Sequence, residues 1–162
     1  MVKKNKRIFK TYLAGPIGVI PQKGAAEWRI EMGRKLGEIG IKTSNPMGNE
    51  AKLDRNQLKS WVDNGKANKI RKTVRTKLIG VDLRMVVNCD FLTLYIPEDN
   101  GYEICGSYGE MTLAYHFHKP VYIVTDRKLL PLQIPCWATG CSTWVFRTWE
   151  EYLKYIKEHY GN

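Results

Sequence analysis

Short apolar runs alternating with longer stretches of helical spacing are the feature that most constrains how this 162-residue chain can fold. Five runs have the length and composition of strands and end near turn residues: 8–14, 41–44, 90–96, 121–125 and 143–146. Helical spacing covers 23–39, 53–88, 107–117 and 148–159. Strands separated by helices form right-handed βαβ units, whose parallel sheet is covered on both faces. The sequence therefore predicts an α/β chain, doubly wound and flavodoxin-like or Rossmann-like, with a five-stranded parallel sheet.

The length and the charge of the chain limit its organisation. A chain of 162 residues suits one domain, spanning 1–162, and the sequence contains no internal repeat. The formal net charge of +10 favours polyanions, nucleotides or an acidic partner. Much of this charge lies in a predicted basic helical insertion at about 52–77. A solvated surface is its ordinary interpretation, and phosphate contacts through Lys69, Arg71 or Arg75 are the functional one.

Several patterns bear on location and on metals. No run approaches the roughly 18 apolar residues of a membrane span, and the first twenty residues are too broken for a signal peptide. The four cysteines show no C-x-x-C pairing, which indicates free thiols and no zinc site. We therefore expect a cytoplasmic protein with no membrane association and no metal.

The first loop at the ligand-binding edge of the predicted sheet follows Tyr12. Ligands of such sheets lie beyond the carboxyl ends of the strands, where Gly15 and Pro16 form a turn. Gly15 would let a ligand approach the backbone closely. A tyrosine at a strand end is usually a core residue with a hydrogen-bonded hydroxyl, so Tyr12 has both a structural and a functional interpretation.

The second such loop leads into the helix that carries Gly106, Ser107 and Glu110. The Ser-x-x-Glu spacing is that of a capping box, which is the structural interpretation of the pair. Leu113 and Ala114 nevertheless place Glu110 on the apolar stripe of its helix. A carboxylate is costly to bury there without a partner, so Glu110 is a candidate for chemistry.

Asp82 is the second carboxylate of interest. On a helical reading it shares a face with apolar residues three, four or seven positions away: Leu78, Ile79, Met85, Val86 and Cys89. The alternative is that Asp82 faces solvent or pairs with Arg84 or Lys77. Asp90, just before a strand, is predicted to be structural, because a short acidic side chain suits a helix-to-strand turn.

Three common motifs are missing from the sequence. It has no G-x-x-x-x-G-K-[ST] loop and no G-x-G-x-x-G after the first strand, which removes most support for kinases, ATPases and dinucleotide oxidoreductases. It also has no G-x-S-x-G elbow, so Ser107 is a poor candidate for a nucleophile.

Four motifs, taken in order, resemble the nucleoside 2-deoxyribosyltransferase family. That family includes deoxynucleoside 5′-monophosphate N-glycosidases and cytidylate hydrolases. The resemblance covers about residues 8 to 125. Its motifs are YLAGP at 12–16, Asp82-Leu83 ahead of Asn88-Cys89-Asp90, GSYGE at 106–110, and Lys119-Pro120-Val121.

The resemblance implies a fold, a chemistry and a set of site residues. The fold is the doubly wound domain, and no metal or redox cofactor is needed. Glu110 is the implied nucleophile, which attacks the anomeric carbon and forms a covalent ribosyl-enzyme, and Tyr12 orients it. Asp82 acts near the base and helps its protonation. Substrate binding falls to Gly15, Pro16, Gly106 and Ser107, and members complete their active sites with a neighbouring subunit, so a dimer or larger homo-oligomer is expected.

The sequence thus predicts an enzyme that cleaves or exchanges the N-glycosidic bond of a nucleoside or nucleoside 5′-monophosphate. Two alternatives stay open. One is a non-catalytic nucleotide- or nucleic-acid-binding module that uses the same cleft and the basic stretch, with nucleic acid the less favoured partner. The other keeps catalysis and changes the substrate, for example to a dinucleotide.

Overall fold

The computed structural model describes residues 7–16, 22–50, 53–97, 105–125 and 134–161. Five strands lie in these ranges: β1 (Lys10–Ala14), β2 (Lys42–Ser44), β3 (Phe91–Ile96), β4 (Val121–Thr125) and β5 (Trp144–Phe146). The α-helices of the same ranges are α1 (Gln22–Glu38), α2 (Met47–Glu50), α3 (Arg55–Asp63), α4 (Ala67–Val74), α5 (Gly80–Val87), α6 (Cys105–His116), α7 (Cys136–Cys141) and α8 (Trp149–Tyr160). A π-helical turn, Arg75–Ile79, joins α4 to α5. No helix in the described ranges has both the length and the apolar character needed to cross a membrane.

All five strands are parallel and form one sheet in the order β2-β1-β3-β4-β5. The prediction of an α/β chain with a five-stranded parallel sheet is confirmed. The observed order is the flavodoxin-like one. Strand β2 lies on one side of β1 and the later strands lie on the other, so the strand order reverses between β1 and β3.

Side chains alternate between two cores because successive strand residues point to opposite faces of the sheet. Tyr12 and Ala14 of β1 pack in the core that includes Met111 of α6 and Val86 of α5. Leu13, between them, packs in the other core. That second core also contains Leu36 of α1 and two α8 residues, Tyr152 and Ile156. Helices α5 and α6 therefore cover one face of the sheet, and α1 and α8 cover the other.

The ends of the elements follow the predicted signals to within two residues in most cases. Gly40 follows α1 with φ at 83°, and the Ile41 amide donates to the Leu36 carbonyl at 2.9 Å, so the predicted stop is confirmed. The predicted break at Asn64 and Gly65 separates α3 from α4. The predicted break at Gly80 is wrong, because the helix continues through it after the π-helical turn. Neither α2 nor α7 was expected from the pattern.

Asp90 has the structural role predicted for it. Its carboxylate accepts a hydrogen bond from the Lys10 amide at 2.8 Å and pairs with Arg7. It thereby ties the turn before β3 to the beginning of β1. The predicted insertion at about 52–77 contains α3 and α4, and its status as an insertion stays a prediction.

Candidate active site

The candidate site lies where β1 and β3, neighbours in the sheet, continue into helices on opposite faces. After β1 the chain runs to α1 on one face, and after β3 it runs to α6 on the other. The divergence leaves a crevice beyond the carboxyl ends of the two strands, which is the usual ligand position in such sheets. Tyr12 reaches this crevice from β1, and Ser107 and Glu110 reach it from α6.

The Tyr12 hydroxyl donates a hydrogen bond to Oε1 of Glu110, with an O–O distance of 2.5 Å. The two residues are 98 positions apart in the sequence. Tyr12 is fully buried, and Glu110 is partly buried. A phenol donor at this distance fixes one carboxylate oxygen and leaves the other for a ligand.

Burial sets the protonation of this pair. Burial raises the pKa of Glu110 to about 7, and the negative charge of Asp82 adds to the rise. The Tyr12 hydrogen bond and the Arg29 charge oppose that rise, because both stabilise the carboxylate. Burial, and then the Glu110 charge, raise the pKa of Tyr12 well above its usual value. Tyr12 therefore stays a hydrogen-bond donor while Glu110 changes charge near neutral pH.

Asp82 is buried on α5, with 6% of its surface exposed. Its Oδ1 accepts a hydrogen bond from Nδ2 of Asn49 at 2.8 Å, and Asn49 is itself buried in α2. The alternative that Asp82 faces solvent is wrong. Its charge raises the pKa values of Glu110 and Tyr12, so the three side chains share one electrostatic environment.

Ser107 connects the two sides of the crevice. Its hydroxyl donates to the Gly15 carbonyl at 3.1 Å, which ties α6 to the loop after β1. Ser107 is the third residue of α6, and Glu110 accepts a hydrogen bond from Tyr12. The side chains of Ser107 and Glu110 therefore have partners other than those of a capping box. The structural interpretation of the Ser-x-x-Glu spacing is therefore wrong.

Arg29 of α1 supports the loop after β1 and was not identified from the sequence. It is 1% exposed, and its guanidinium donates to the carbonyls of Leu13, Gly15 and Pro16 at 3.2, 2.8 and 3.3 Å. The Arg29 Cζ also lies over the Trp28 ring, 4.4 Å from the ring centroid. A signal was present, because Arg29 lies three and seven residues before the core residues Met32 and Leu36 and thus on their side of the helix.

Gly15 is held in a space that excludes a side chain. A Cβ at this position would lie 2.8 Å from Cζ2 of Trp28 and 3.2 Å from the Tyr95 carbonyl oxygen. Pro16, beside it, is buried. At Gly15 the loop therefore presents only its backbone to the crevice.

Gly106, the remaining predicted substrate-binding residue, is exposed and lines an open cavity of about 680 Å³ between α5 and α6. The cavity is mainly apolar. Ile79 and Leu83 line it from the α5 side, and Gly109 and Leu113 from α6. Leu83 adjoins Asp82 and Gly109 adjoins Glu110, so this cavity lies next to the carboxylates along both helices.

A metal centre is not apparent in the described ranges, where no three His, Cys, Asp or Glu side chains are grouped to hold an ion. The cysteines described there, Cys89, Cys136 and Cys141, are free thiols. The polar groups of the site are thus carboxylates, a phenol, a guanidinium and backbone carbonyls.

No protein-family model and no curated protein sequence matches the chain. Solved structures do match it. A 2-deoxyribosyltransferase of Bacillus psychrosaccharolyticus is 20% identical with a TM-score of 0.64, over 90% of this chain and 91% of that one. A conserved protein of Enterococcus faecalis is 20% identical with a TM-score of 0.65, over 94% and 99%. A CMP N-glycosidase of Clostridium botulinum is 15% identical with a TM-score of 0.50, over 93% and 98%. The fold implied by the sequence resemblance is confirmed.

Proposed function

We propose that the chain is an enzyme of the nucleoside 2-deoxyribosyltransferase family that cleaves or exchanges the N-glycosidic bond of a (deoxy)nucleoside or nucleoside 5′-monophosphate. The observation that carries the proposal is the hydrogen bond between Tyr12 and Glu110 at the β1–β3 crevice, with buried Asp82 nearby. The fold supports it, because a 2-deoxyribosyltransferase and a CMP N-glycosidase share that fold.

The proposed nucleophile is the Glu110 carboxylate. One of its oxygens attacks the anomeric carbon while the bond from that carbon to the base nitrogen breaks, and the electron pair of the broken bond leaves with the base. The sugar passes through an oxocarbenium-like state, which a carboxylate stabilises and traps as a covalent ester. Attack of water on the anomeric carbon of this ester gives hydrolysis, and attack of a second base gives exchange. Either step releases the Glu110 carboxylate.

Tyr12 positions Glu110 and favours its reactive form. By holding Oε1, the phenol leaves Oε2 to face the anomeric carbon. Because the pKa of Glu110 is raised to about 7, the carboxylate is only about half ionised at neutral pH. The Tyr12 hydrogen bond, and after it the Arg29 charge, lower this pKa. Both therefore increase the fraction of Glu110 that is the reactive carboxylate.

Asp82 is proposed to act near the base and to help its protonation as it leaves. A proton delivered to the departing base contributes roughly 10²–10⁴-fold to such reactions. The Asn49 amide donates to one oxygen of Asp82 at 2.8 Å and so orients its carboxylate. The loop after β1 (Gly15 and Pro16) and the start of α6 (Gly106 and Ser107) are the proposed walls of the substrate site.

A homo-oligomer is part of the proposal. The residues around the cavity between α5 and α6 carry no Lys, Arg, Asp or Glu, so two copies of a chain with charge +10 can approach there without facing cations. Ile79→Glu in this cavity should reduce the sedimentation coefficient to that of a monomer. Val62→Glu, at an exposed position on α3, should leave it unchanged.

The test is chromatographic. The protein is incubated with a panel of nucleosides and 5′-monophosphates, with and without a second free base, beside Glu110→Ala. Glu27→Ala, at an exposed position on α1, is the matched control. We expect free base from the wild type and the control and none from Glu110→Ala. Mass spectrometry of an acid-quenched reaction should find the sugar attached to Glu110.

Base released equally by Glu110→Ala would refute the covalent mechanism. Binding of a nucleotide with no base released from any substrate would refute the enzymatic proposal and favour a binding module.

A further inference from the structure

The outward side of α4 and the start of the π-helical turn form a basic stripe, defined here as Asn68, Arg71, Lys72, Arg75 and Thr76. All five residues are exposed and line an open cavity of about 300 Å³. Their spacing of three or four residues places them on one side of the helix. The stripe is thus a continuous surface formed by one rigid element.

The stripe belongs to a stretch of one charge sign. From residue 64 to residue 81 the sequence has six cations and no Asp or Glu. Within the described ranges none of the six forms an ion pair, and the Arg71 guanidinium donates to Oδ1 of Asn68 at 2.6 Å. Like charges one turn apart destabilise a helix. A polyanionic ligand would offset that cost.

The other side of α4 explains why the stripe faces outward. Ile70 and Val74 are half-buried, and α4 packs against α3. The outward side therefore offers charged and polar groups without large apolar ones. A helix that binds a membrane surface needs an apolar side that enters the lipid, and here the apolar residues of α4 are half-buried on the side that packs against α3.

The length of the basic run distinguishes a strand from a single nucleotide. From Lys66 to Lys77 the helix rises roughly 17 Å at 1.5 Å per residue. A nucleic-acid strand carries about one phosphate per 3.4 Å, so roughly five phosphates fit along it, whereas a 5′-monophosphate has one. Arginine forks and side-chain amides contact phosphates in nucleic-acid complexes, and Arg71 and Asn68 supply them, whereas the Thr76 hydroxyl donates to the Lys72 carbonyl at 2.9 Å.

We propose that the basic stripe binds the phosphodiester backbone of nucleic acid. The interaction is electrostatic, and it does not depend on the reaction proposed for Glu110. The helix continues from the stripe through the π-helical turn into α5, which carries Asp82.

The test is fluorescence anisotropy with a labelled twelve-nucleotide single strand and the matching duplex, at salt concentrations from 50 to 200 mM. The test variant neutralises the stripe: Arg71→Gln, Lys72→Gln and Arg75→Gln together. The control variant removes three exposed cations elsewhere: Lys42→Gln, Arg147→Gln and Lys157→Gln. Both variants have the same net charge, so non-specific attraction to the whole protein is matched.

Loss of three phosphate contacts should reduce the salt slope for a single strand by about 2, since each contact contributes about 0.7. Over this fourfold salt range the wild type should then lose roughly 20-fold more affinity than the test variant. The control variant should keep the wild-type slope. A fourth protein, Arg71→Lys with Arg75→Lys, should also keep it, which separates charge from damage to the helix.

Equal slopes for the test and control variants would overturn the proposal, as would no binding at 50 mM salt. Equal affinity for poly-aspartate or for anionic vesicles would also overturn it, in favour of an acidic protein or a membrane. Base release from nucleosides, which carry no phosphate, should be the same in the wild type and the test variant, so failure of either proposal is visible separately.

Discussion

Replacing Tyr12 by phenylalanine removes one hydroxyl and keeps the buried ring. The hydroxyl lost is the donor to Oε1 of Glu110 at 2.5 Å. The ring stays between the same core neighbours, so the substitution should change the electrostatics of the site far more than its packing. Tyr115→Phe, at an exposed position on α6, is the matched control.

The size of the effect follows from the ionisation of Glu110. Burial already raises the pKa of Glu110 to about 7, and the Tyr12 hydrogen bond opposes that rise. A hydrogen bond to a charged group contributes about 1.5–3 kcal/mol, and 1.36 kcal/mol is a factor of ten in ionisation. Its loss should therefore reduce the ionisation constant of Glu110 roughly 10- to 100-fold. At pH 7 the ionised fraction should fall from about a half to about a tenth or less.

The assay is kcat/KM for base release between pH 5 and 10, which reports the ionisation of the free enzyme. Because Glu110 acts as the carboxylate, the rate of the wild type should rise with pH around 7 and then level off. In Tyr12→Phe this rise should move to higher pH by about one to two pH units. The control should follow the wild type.

A lower plateau with the rise still near pH 7 would refute this reasoning. That result would mean that the Tyr12 hydroxyl orients a substrate or the nucleophile without stabilising the charge of Glu110.

Three further predictions concern stability. Glu110→Gln should stabilise the fold by up to about 3 kcal/mol at pH 8, because the raised pKa makes the wild type lose stability as pH rises from 4.5 to about 7. Thermal unfolding should show no difference near pH 4. Asn49→Ala should cost about 1.5–3 kcal/mol in urea unfolding, since it removes a buried donor to Asp82. Gly15→Ala should cost about 1–3 kcal/mol through overpacking against Trp28.

Each stability prediction has a control and a result that contradicts it. Asn64→Ala, at an exposed helix end, should cost less than Asn49→Ala, and equal costs would show that the buried bond is unimportant. Gly37→Ala in α1 meets no atom within 4 Å and should be neutral or stabilising. A Gly15→Ala protein as stable as Gly37→Ala would refute the close approach of Trp28. An advantage of Glu110→Gln that persists at pH 4 would show that charge is not its cause.

The fold was largely predictable because its long elements have strong periods. The longer strands and the helices of eight or more residues carry a repeated apolar pattern, and βαβ rules leave few alternatives for the sheet, whereas β2 (Lys-Thr-Ser) has no apolar residue. The two unpredicted helices, α2 and α7, have four and six residues, too few for a period to show. Gly80 looked like a break because glycine weakens helices, but the π-helical turn before it keeps the chain helical.

The site was only partly predictable. Tyr12, Ser107 and Glu110 follow from position, because each lies near the carboxyl end of a strand. Asn49 does not, because its partner is a carboxylate distant in sequence, which leaves no local pattern. For Arg29 the helical spacing from Met32 and Leu36 indicated burial, but its backbone-carbonyl partners could not be predicted. That Tyr12 touches Glu110 across 98 residues was implied by family resemblance, and no periodicity could have given it.

The distance in sequence between Tyr12 and Glu110 also affects the order of events during synthesis. A ribosome that adds 5–20 residues per second needs roughly 5–20 s to pass from one residue to the other. From the synthesis of Ser44 to that of Phe91, which is about half of that interval, β1 has its partner β2 but lacks β3, the strand that closes its other edge. The nascent chain thus holds a strand with one unpaired edge, which is a site for aggregation or for a chaperone. We expect newly made chains to need protection until β3 emerges and pairs with β1.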